Sequence, residues 1–363
     1  MALACGIVGL PNVGKSTLFN AISRSSVAAS NYPFCTIEPN LGIVPVPDPR
    51  LDVLADIFSS REIVPATMTF LDIAGLVRGA SKGEGLGNAF LSHIREVDAI
   101  ATVVRCFEND NVLHVEGNVE PLRDIATINV ELALADLASV ERRLEKARQR
   151  AKAESKIQAE VAALENLMRA LDAGTPARSF ERGSAELSLA KELSLLTAKP
   201  TLYVANVDET GSRASAERVR AVREAAQSEG AEWIVLCAKL EAELAALPDH
   251  DAAAFAKELG MEARGLDRLI VAAYRLLNLM TFLTAGEKAA RAWTIERGAR
   301  APQAAGKIHS DIERGFIRAE IASYPDLERL RSLQAVKDGG LLRVEGRDYV
   351  MQEGDVVNFR FNV

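Results

Sequence analysis

The chain has 363 residues, 48% of them hydrophobic and 26% charged, which suits a globular protein with material for two or three domains. That composition excludes a collagenous, disulfide-stapled or wholly disordered chain. A net charge of -7 argues against coating nucleic acid by bulk charge, and no binding to double-stranded DNA is expected, although 43 Lys and Arg can still gather locally.

Residues 3–8 are apolar and run straight into a glycine loop, so the N-terminus is expected to be a buried strand and not a signal peptide. A helix is expected from Lys15 to Ser23. Further β-branched runs lie at 67–73, 99–106, 200–206 and 233–237, separated by helical or loop sequence. Strands alternating with helices predict a mostly parallel sheet covered on both faces. From Ile128 to Thr197 the rhythm changes to an Ala/Leu/Glu/Lys/Arg-rich stretch with Leu134, Leu137, Val140 and Leu144 at helical spacing. A single crossover needs one helix, so this stretch is expected to be an inserted helical hairpin of antiparallel coiled-coil type, with a connection near Gly174–Pro176. It carries Arg142, Arg143, Lys146, Arg148, Arg150, Lys152 and Lys156 against Glu141, Glu145, Glu154 and Glu160. Such a run is either a solvated helix face or a docking surface for RNA or an acidic partner. A third unit begins near Met280, with strands at Ala292–Glu296, Phe316–Ile321, Arg343–Val350 and Val356–Phe361 and short helices between them, a small α+β domain.

The cysteines (Cys5, Cys35, Cys106, Cys237) and histidines (His93, His114, His250, His309) are scattered without zinc-ligand spacing, which fits a reducing, cytoplasmic setting. No apolar run reaches the roughly 18 residues of a membrane span, so no membrane partner is expected.

Four segments carry chemistry. Gly9-Leu-Pro-Asn-Val-Gly-Lys-Ser16 fits GxxxxGK[ST] between a predicted strand and a predicted helix. Its glycines let backbone N–H groups turn inward around phosphate oxygens, Lys15 supplies a cation for the β- and γ-phosphates, and the Ser16 hydroxyl ligates Mg²⁺. Asp72-Ile-Ala-Gly75 ends a strand, where Asp72 can hold Mg²⁺ through water and the Gly75 N–H can sense the γ-phosphate. The glycine-rich 79–87 segment is expected to order with nucleotide, like a switch. Between these motifs, Thr36 in Tyr32–Asn40 stands where a hydroxyl would complete the Mg²⁺ shell.

The fourth segment, Asn206-Val-Asp-Glu209, ends a strand where guanine-binding proteins place Asn-Lys-x-Asp. Glu209 replaces the aspartate that accepts from guanine N1–H and N2–H₂, and Val207 replaces the lysine. Adenine has an acceptor at N1 and no 2-amino group, so ATP becomes a serious candidate beside GTP. Cys237-Ala238-Lys239 sits where the last base-contacting loop would lie. Leu76 follows the DxxG motif and cannot orient a water. His114 is a candidate for that task, and a structural histidine is the other reading.

Together these motifs resemble the YchF subfamily of Obg-related P-loop proteins, the Obg-like ATPases. The resemblance spans essentially the whole chain, through residues 9–21, 31–40, 72–91, 105–117, 199–209 and 291–320. It implies an α/β fold: a Ras-like P-loop nucleotide domain (1–127 and 198–280), an inserted helical coiled-coil arm (128–197) and a C-terminal β-grasp (TGS) domain (281–363). It implies ATP hydrolysis in preference to GTP, with Asn12, Val13, Gly14, Lys15, Ser16 and Thr17 around the phosphates. Ser16 and Thr36 would take Mg²⁺, and Asn206 with Val207 would contact the base. His114 matches a histidine proposed to assist hydrolysis, and Asn12 matches an asparagine that can help hold K⁺. The family associates with ribosomes, some members being linked to oxidative stress, so the expected function is a ribosome- or RNA-associated switch. An adaptor with a structural nucleotide and a conventional GTPase are the alternatives.

Overall fold

The structure, a computed structural model, describes residues 3–25, 40–73, 86–109, 111–152, 154–210, 212–259 and 263–362. It divides into two compact units, residues 1–44 with 69–276 and residues 45–68 with 277–363.

In chain order the first elements are β1 (Ala4–Val8), α1 (Lys15–Arg24), β2 (Leu41–Pro45), α2 (Arg50–Phe58), β3 (Ile63–Val64), β4 (Thr67–Asp72), α3 (Leu86–Glu96) and β5 (Ala99–Arg105). Then come α4 (Pro121–Ala151), α5 (Gln158–Asp172), α6 (Ala185–Glu192), β6 (Thr201–Asn206), α7 (Arg213–Ser228), β7 (Glu232–Leu236), α8 (Ala238–Leu244), α9 (Asp249–Glu258) and α10 (Gly265–Leu276).

The first unit is built on a six-stranded sheet in the order β2-β4-β1-β5-β6-β7. The pairs from β4 to β7 are all parallel. Every residue of β5 and β6 is buried, as expected of strands covered on both faces. Central β1 is flanked by β4 on one side and β5 on the other, and the chain crosses over β1 between those two consecutive strands, so the crevice beyond its carboxyl end lies at the topological switch point, where such sheets bind ligands. The expected strands are all present. The short β2 was not anticipated.

The inserted arm is a coiled coil. Its seam runs through Ala133, Leu137, Val140, Leu144, Ala147 and Ala151 on α4, and through Ile157, Val161, Leu164, Met168 and Leu171 leading into and along α5. Both series alternate spacings of four and three, the heptad signature. Of the four apolar residues noted at helical spacing, Leu134 is exposed, and its smaller neighbour Ala133 takes the core position. The turn between α4 and α5 follows Ala151 and precedes Gln158, and the expected connection near Gly174–Pro176 joins α5 to α6, with Gly174 at φ 76°. A buried polar knot anchors the arm: Asp136 accepts from the Leu196 N–H (2.8 Å), the Thr197 N–H (2.8 Å) and the Thr197 hydroxyl (2.7 Å).

The second unit is a mixed sheet in the order β11-β10-β12-β8-β9-β3. It adds β8 (Leu279–Ala285), β9 (Ala290–Glu296), α11 (Ala301–Ile308), α12 (Ser310–Arg314) and β10 (Phe316–Ser323). After these come α13 (Tyr324–Leu330), α14 (Leu333–Asp338), β11 (Arg343–Glu345) and β12 (Asp355–Phe361). The β8–β9 and β10–β12 pairs are antiparallel and β12–β8 is parallel, the β-grasp arrangement. Phe282, Ile295, Phe316, Ile321 and Phe359 form its core with Ala301, Ala304 and Ala305 of α11. Residues 45–68, placed with the nucleotide domain from sequence, belong to this unit: β3 pairs with β9, the Ser60 hydroxyl donates to the Gly286 carbonyl at 2.7 Å, and α2 buries Leu51 and Leu54.

Candidate nucleotide-binding site

At the carboxyl end of β1 the chain makes a loop that ordinary helix or strand angles cannot form. Asn12 (φ 64°) and Gly14 (φ 93°) both take the left-handed region, and α1 starts at Lys15 with the Leu18 N–H donating to the Gly14 carbonyl at 3.0 Å. The first turn of α1 carries no acidic residue, so its unsatisfied N–H groups and positive dipole end suit an anion.

Gly14 is required for a second reason. A Cβ there would lie 2.2 Å from the Asn206 amide nitrogen. Asn206 is buried at the end of β6 and bridges two loops. Its Nδ2 donates to the Val13 carbonyl at 2.8 Å, and its Oδ1 accepts from the Ala238 N–H at 2.9 Å. One residue thereby fixes the phosphate loop against the 237–239 loop.

These loops enclose a cavity of about 800 Å³. Of the residues expected at the nucleotide, Asn12, Gly14, Lys15, Ser16, Thr17, Asn206, Val207, Glu209 and Ala238 line it. Val13 is buried beneath, acting through its carbonyl. Lys15 pairs with Asp72, which brings the second expected motif to the cavity's phosphate end. Glu209 lies 3.2 Å from the Lys239 ammonium. Thr36, Gly75 and Leu76 lie outside the described residues, as do 79–85.

His114 is not on the lining. Its ring is buried, its Nε2 lies 2.8 Å from Asp124 Oδ2, and its Nδ1 accepts from the Glu116 N–H at 3.1 Å. Since Nδ1 accepts, Nε2 must carry the proton toward Asp124, and neither nitrogen is left for a water.

Sequence reasoning did not anticipate the remaining wall, made by Phe107, Glu108, Asn109 and Val112. Arg105, which donates to the Phe107, Asn109 and Val112 carbonyls, stands out in the sequence only as part of a family motif.

Magnesium favours octahedral oxygen ligands, few from protein and the rest from phosphate and water. The exposed Ser16 hydroxyl and the Asp72 carboxylate are such hard donors. Among the described residues no group of three or more His, Cys, Asp or Glu could hold a metal alone. The donor set therefore fits Mg²⁺ carried with a nucleotide. Among the same residues no helix is long and apolar enough to cross a membrane.

Comparison with known proteins agrees with this geometry. Residues 4–134 match the family described as "50S ribosome-binding GTPase", and residues 279–362 match the YchF-GTPase C-terminal family, described as "protein of unknown function (DUF933)". The chain is 53% identical over 364 residues to "Ribosome-binding ATPase YchF" of Haemophilus influenzae, covering 100% of both chains. It is 53% identical over 366 residues to the protein of the same name in Bacillus subtilis, again over 100% of both. The solved structure of the Schizosaccharomyces pombe YchF GTPase superposes with a TM-score of 0.84 at 38% identity, covering 99% of this chain and 97% of that one. A P-loop sheet domain, a coiled-coil arm and a β-grasp unit in one chain, matched at this identity from end to end, place the protein in the YchF family.

Proposed function

We propose that the protein is a cytoplasmic, ribosome-associated ATPase acting as a nucleotide-dependent switch. The observation that carries the choice of ATP is the base loop. A guanine-specific site needs a carboxylate free to accept from N1–H and N2–H₂. Here Glu209 is engaged by Lys239 at 3.2 Å, and Val207 offers only an apolar flank. Asn206, Val207 and Ala238 would frame adenine without a guanine-reading acceptor.

At the other end, Asn12 to Thr17 would surround the phosphates, with Lys15 exchanging Asp72 for phosphate oxygens. Ser16, Thr36 and Asp72 would hold magnesium, which supplies charge neutralisation across the β- and γ-phosphates. The Gly75 N–H would report the γ-phosphate. The Asn12 amide nitrogen donates to the Leu113 carbonyl at 3.1 Å, and its Oδ1 is the atom that would take a potassium ion. His114 could assist hydrolysis only by giving up Asp124 or the Glu116 N–H, so turnover of the isolated protein is expected to be slow.

The relatives are named ribosome-binding, and the arm offers a surface of matching chemistry. Arg143 is tied to Glu160 and Glu192, and Arg148 to Glu165. Arg142, Lys146 and Arg150 are spaced four apart along one face of α4. Among the described residues they have no carboxylate partner, which leaves three cations for ribosomal RNA phosphates.

The test is affinity and turnover with ATP and GTP, ribosomes added and withheld. ATP binding at least about tenfold tighter than GTP, with turnover rising on ribosomes, supports the reading. Tighter GTP binding overturns the base assignment, and unstimulated turnover makes the protein an adaptor with a structural nucleotide.

A further inference from the structure

Arg105 ends β5 and is 2% exposed, the largest fully buried side chain among the described residues. A buried guanidinium is costly unless its five N–H donors are satisfied, and usually a carboxylate does much of that. Here none lies at ion-pair distance among the described residues, and the hydrogen bonds Arg105 makes to them all go to backbone carbonyls. Nε donates to the Phe107 carbonyl at 3.1 Å, Nη2 to Asn109 at 3.3 Å, and Nη1 to Val112 at 2.9 Å and to Asn12 at 3.4 Å. The Phe107 ring covers the guanidinium at 4.5 Å from its centroid.

Three of these carbonyls belong to the segment that forms one wall of the nucleotide cavity, and the fourth to the phosphate loop. Carbonyl oxygens turned toward one point repel each other. A fixed cation at that point reverses the sign, so Phe107, Asn109 and Val112 can turn their carbonyls inward and remain registered on Asn12.

We propose that Arg105 is a positioning residue for nucleotide binding. Its guanidinium gathers Phe107, Asn109 and Val112 into a wall and ties that wall to the phosphate loop. The residue does not touch the nucleotide; Phe107, Asn109 and Val112 do, in the places Arg105 assigns them. The inference deepens the nucleotide reading above and rests on it.

Arg105→Gln removes the charge and the fork, whereas Arg105→Lys keeps the charge but reaches fewer carbonyls. ATP Kd is expected to rise about tenfold or more in Arg105→Gln and by a smaller factor in Arg105→Lys, with kcat per active site within about twofold. A residue that only supported folding would instead lower the active fraction with KM unchanged, and that result overturns the proposal. So does an ATP Kd within about twofold of the parent in both variants. Should Arg105→Gln not fold, Arg105→Lys decides. Amide exchange in the ligand-free parent and Arg105→Lys separates this proposal from the functional reading: faster exchange at 109–113 supports the clamp even if the parent binds no ATP, and unchanged exchange removes it.

Discussion

Replacing Asn206 tests whether one side chain registers the phosphate loop on the base loop. Only one orientation of its amide works, because the Val13 carbonyl needs a donor and the Ala238 N–H needs an acceptor. Asn206→Ala orphans both. Each unsatisfied buried backbone group costs about 1–3 kcal/mol, so the ceiling is about 6 kcal/mol. Water entering from the adjoining cavity can satisfy part of that, which brings the expected loss to about 2–3 kcal/mol, or roughly 30- to 150-fold in ATP affinity if binding carries it. Asn206→Asp should be worse. It keeps the acceptor for Ala238 but sets a carboxylate oxygen against the Val13 carbonyl where a donor stood at 2.8 Å.

ATP titration together with thermal unfolding divides the loss between binding and stability. Gly14→Ala supplies an internal control. Its Cβ would meet the Asn206 amide nitrogen at 2.2 Å, so the substitution should cost less in the Asn206→Ala background than in the parent. Strain from φ 93° remains in both backgrounds. ATP affinity within threefold of the parent in Asn206→Ala and Asn206→Asp, with unshifted melting, would refute the reasoning, as would strictly additive costs for Gly14 and Asn206.

Burial pushes the Cys5 and Cys106 thiols up to about 12, so neither should react with a thiol reagent in the native protein at pH 8, while both should react after denaturation. Rapid native labelling of either, located by mass spectrometry, contradicts that. Burial likewise pushes Tyr203 up to about 12 from an ordinary phenol near 10. The folded value is the higher one, so this contribution to stability is complete below pH 10 and is lost as pH rises toward 12. Tyr203→Phe should flatten the alkaline limb of the stability profile and cost about 1 kcal/mol at neutral pH through its lost bond to Glu229, and an unchanged alkaline limb counts against it. Leu167 is fully buried in the arm, so Leu167→Ala should cost about 2–5 kcal/mol in denaturant unfolding while ATP affinity stays within twofold. A large affinity loss would show that the arm and the nucleotide cavity do not behave independently.

The legible parts of the fold were those written in long periodic signals. Five of the six strands in the nucleotide sheet are β-branched runs, and the coiled coil announces itself by helical spacing. Residues 41–66 are not legible because Pro45, Pro47, Pro49 and Pro65 break the pattern into pieces of two to nine residues, and β3 pairs with β9, far along the chain. The seam of α4 is only partly legible, because hydrophobicity ranks Leu134 above its neighbour Ala133, whereas the heptad places Ala133 in the core. At the site, the residues with specialised chemistry are the legible ones: a lysine and a serine in a P-loop and an asparagine closing a strand, all of which line the cavity. The wall at 107–112 was not, because its design lies in where backbone carbonyls point, and every residue has a carbonyl. An arginine at the end of an apolar strand is the one available signal, since only strong local satisfaction lets a guanidinium end a strand whose seven residues are all buried.

His114 exposes a constraint that the sequence could not carry. Its partner Asp124 sits in the first turn of α4, and α4 continues without a break to Ala151, roughly 46 Å at 1.5 Å per residue. The same helix therefore begins at the histidine's carboxylate and ends at the tip of the arm. Freeing His114 for hydrolysis would leave Asp124 buried with Arg123, 3.3 Å away, as its remaining charged partner among the described residues, and would cost the bond that ties the His114 loop to the helix. A hydrolytic role for His114 and its bond to the first turn of α4 thus compete for one imidazole proton. Whatever moves Asp124 would loosen the histidine, and whatever draws the histidine to a nucleotide would break that bond to the helix. If His114 serves hydrolysis, a partner seated on the arm has a route to the chemistry that needs no contact with the nucleotide, and turnover should respond to such a partner more than nucleotide affinity does.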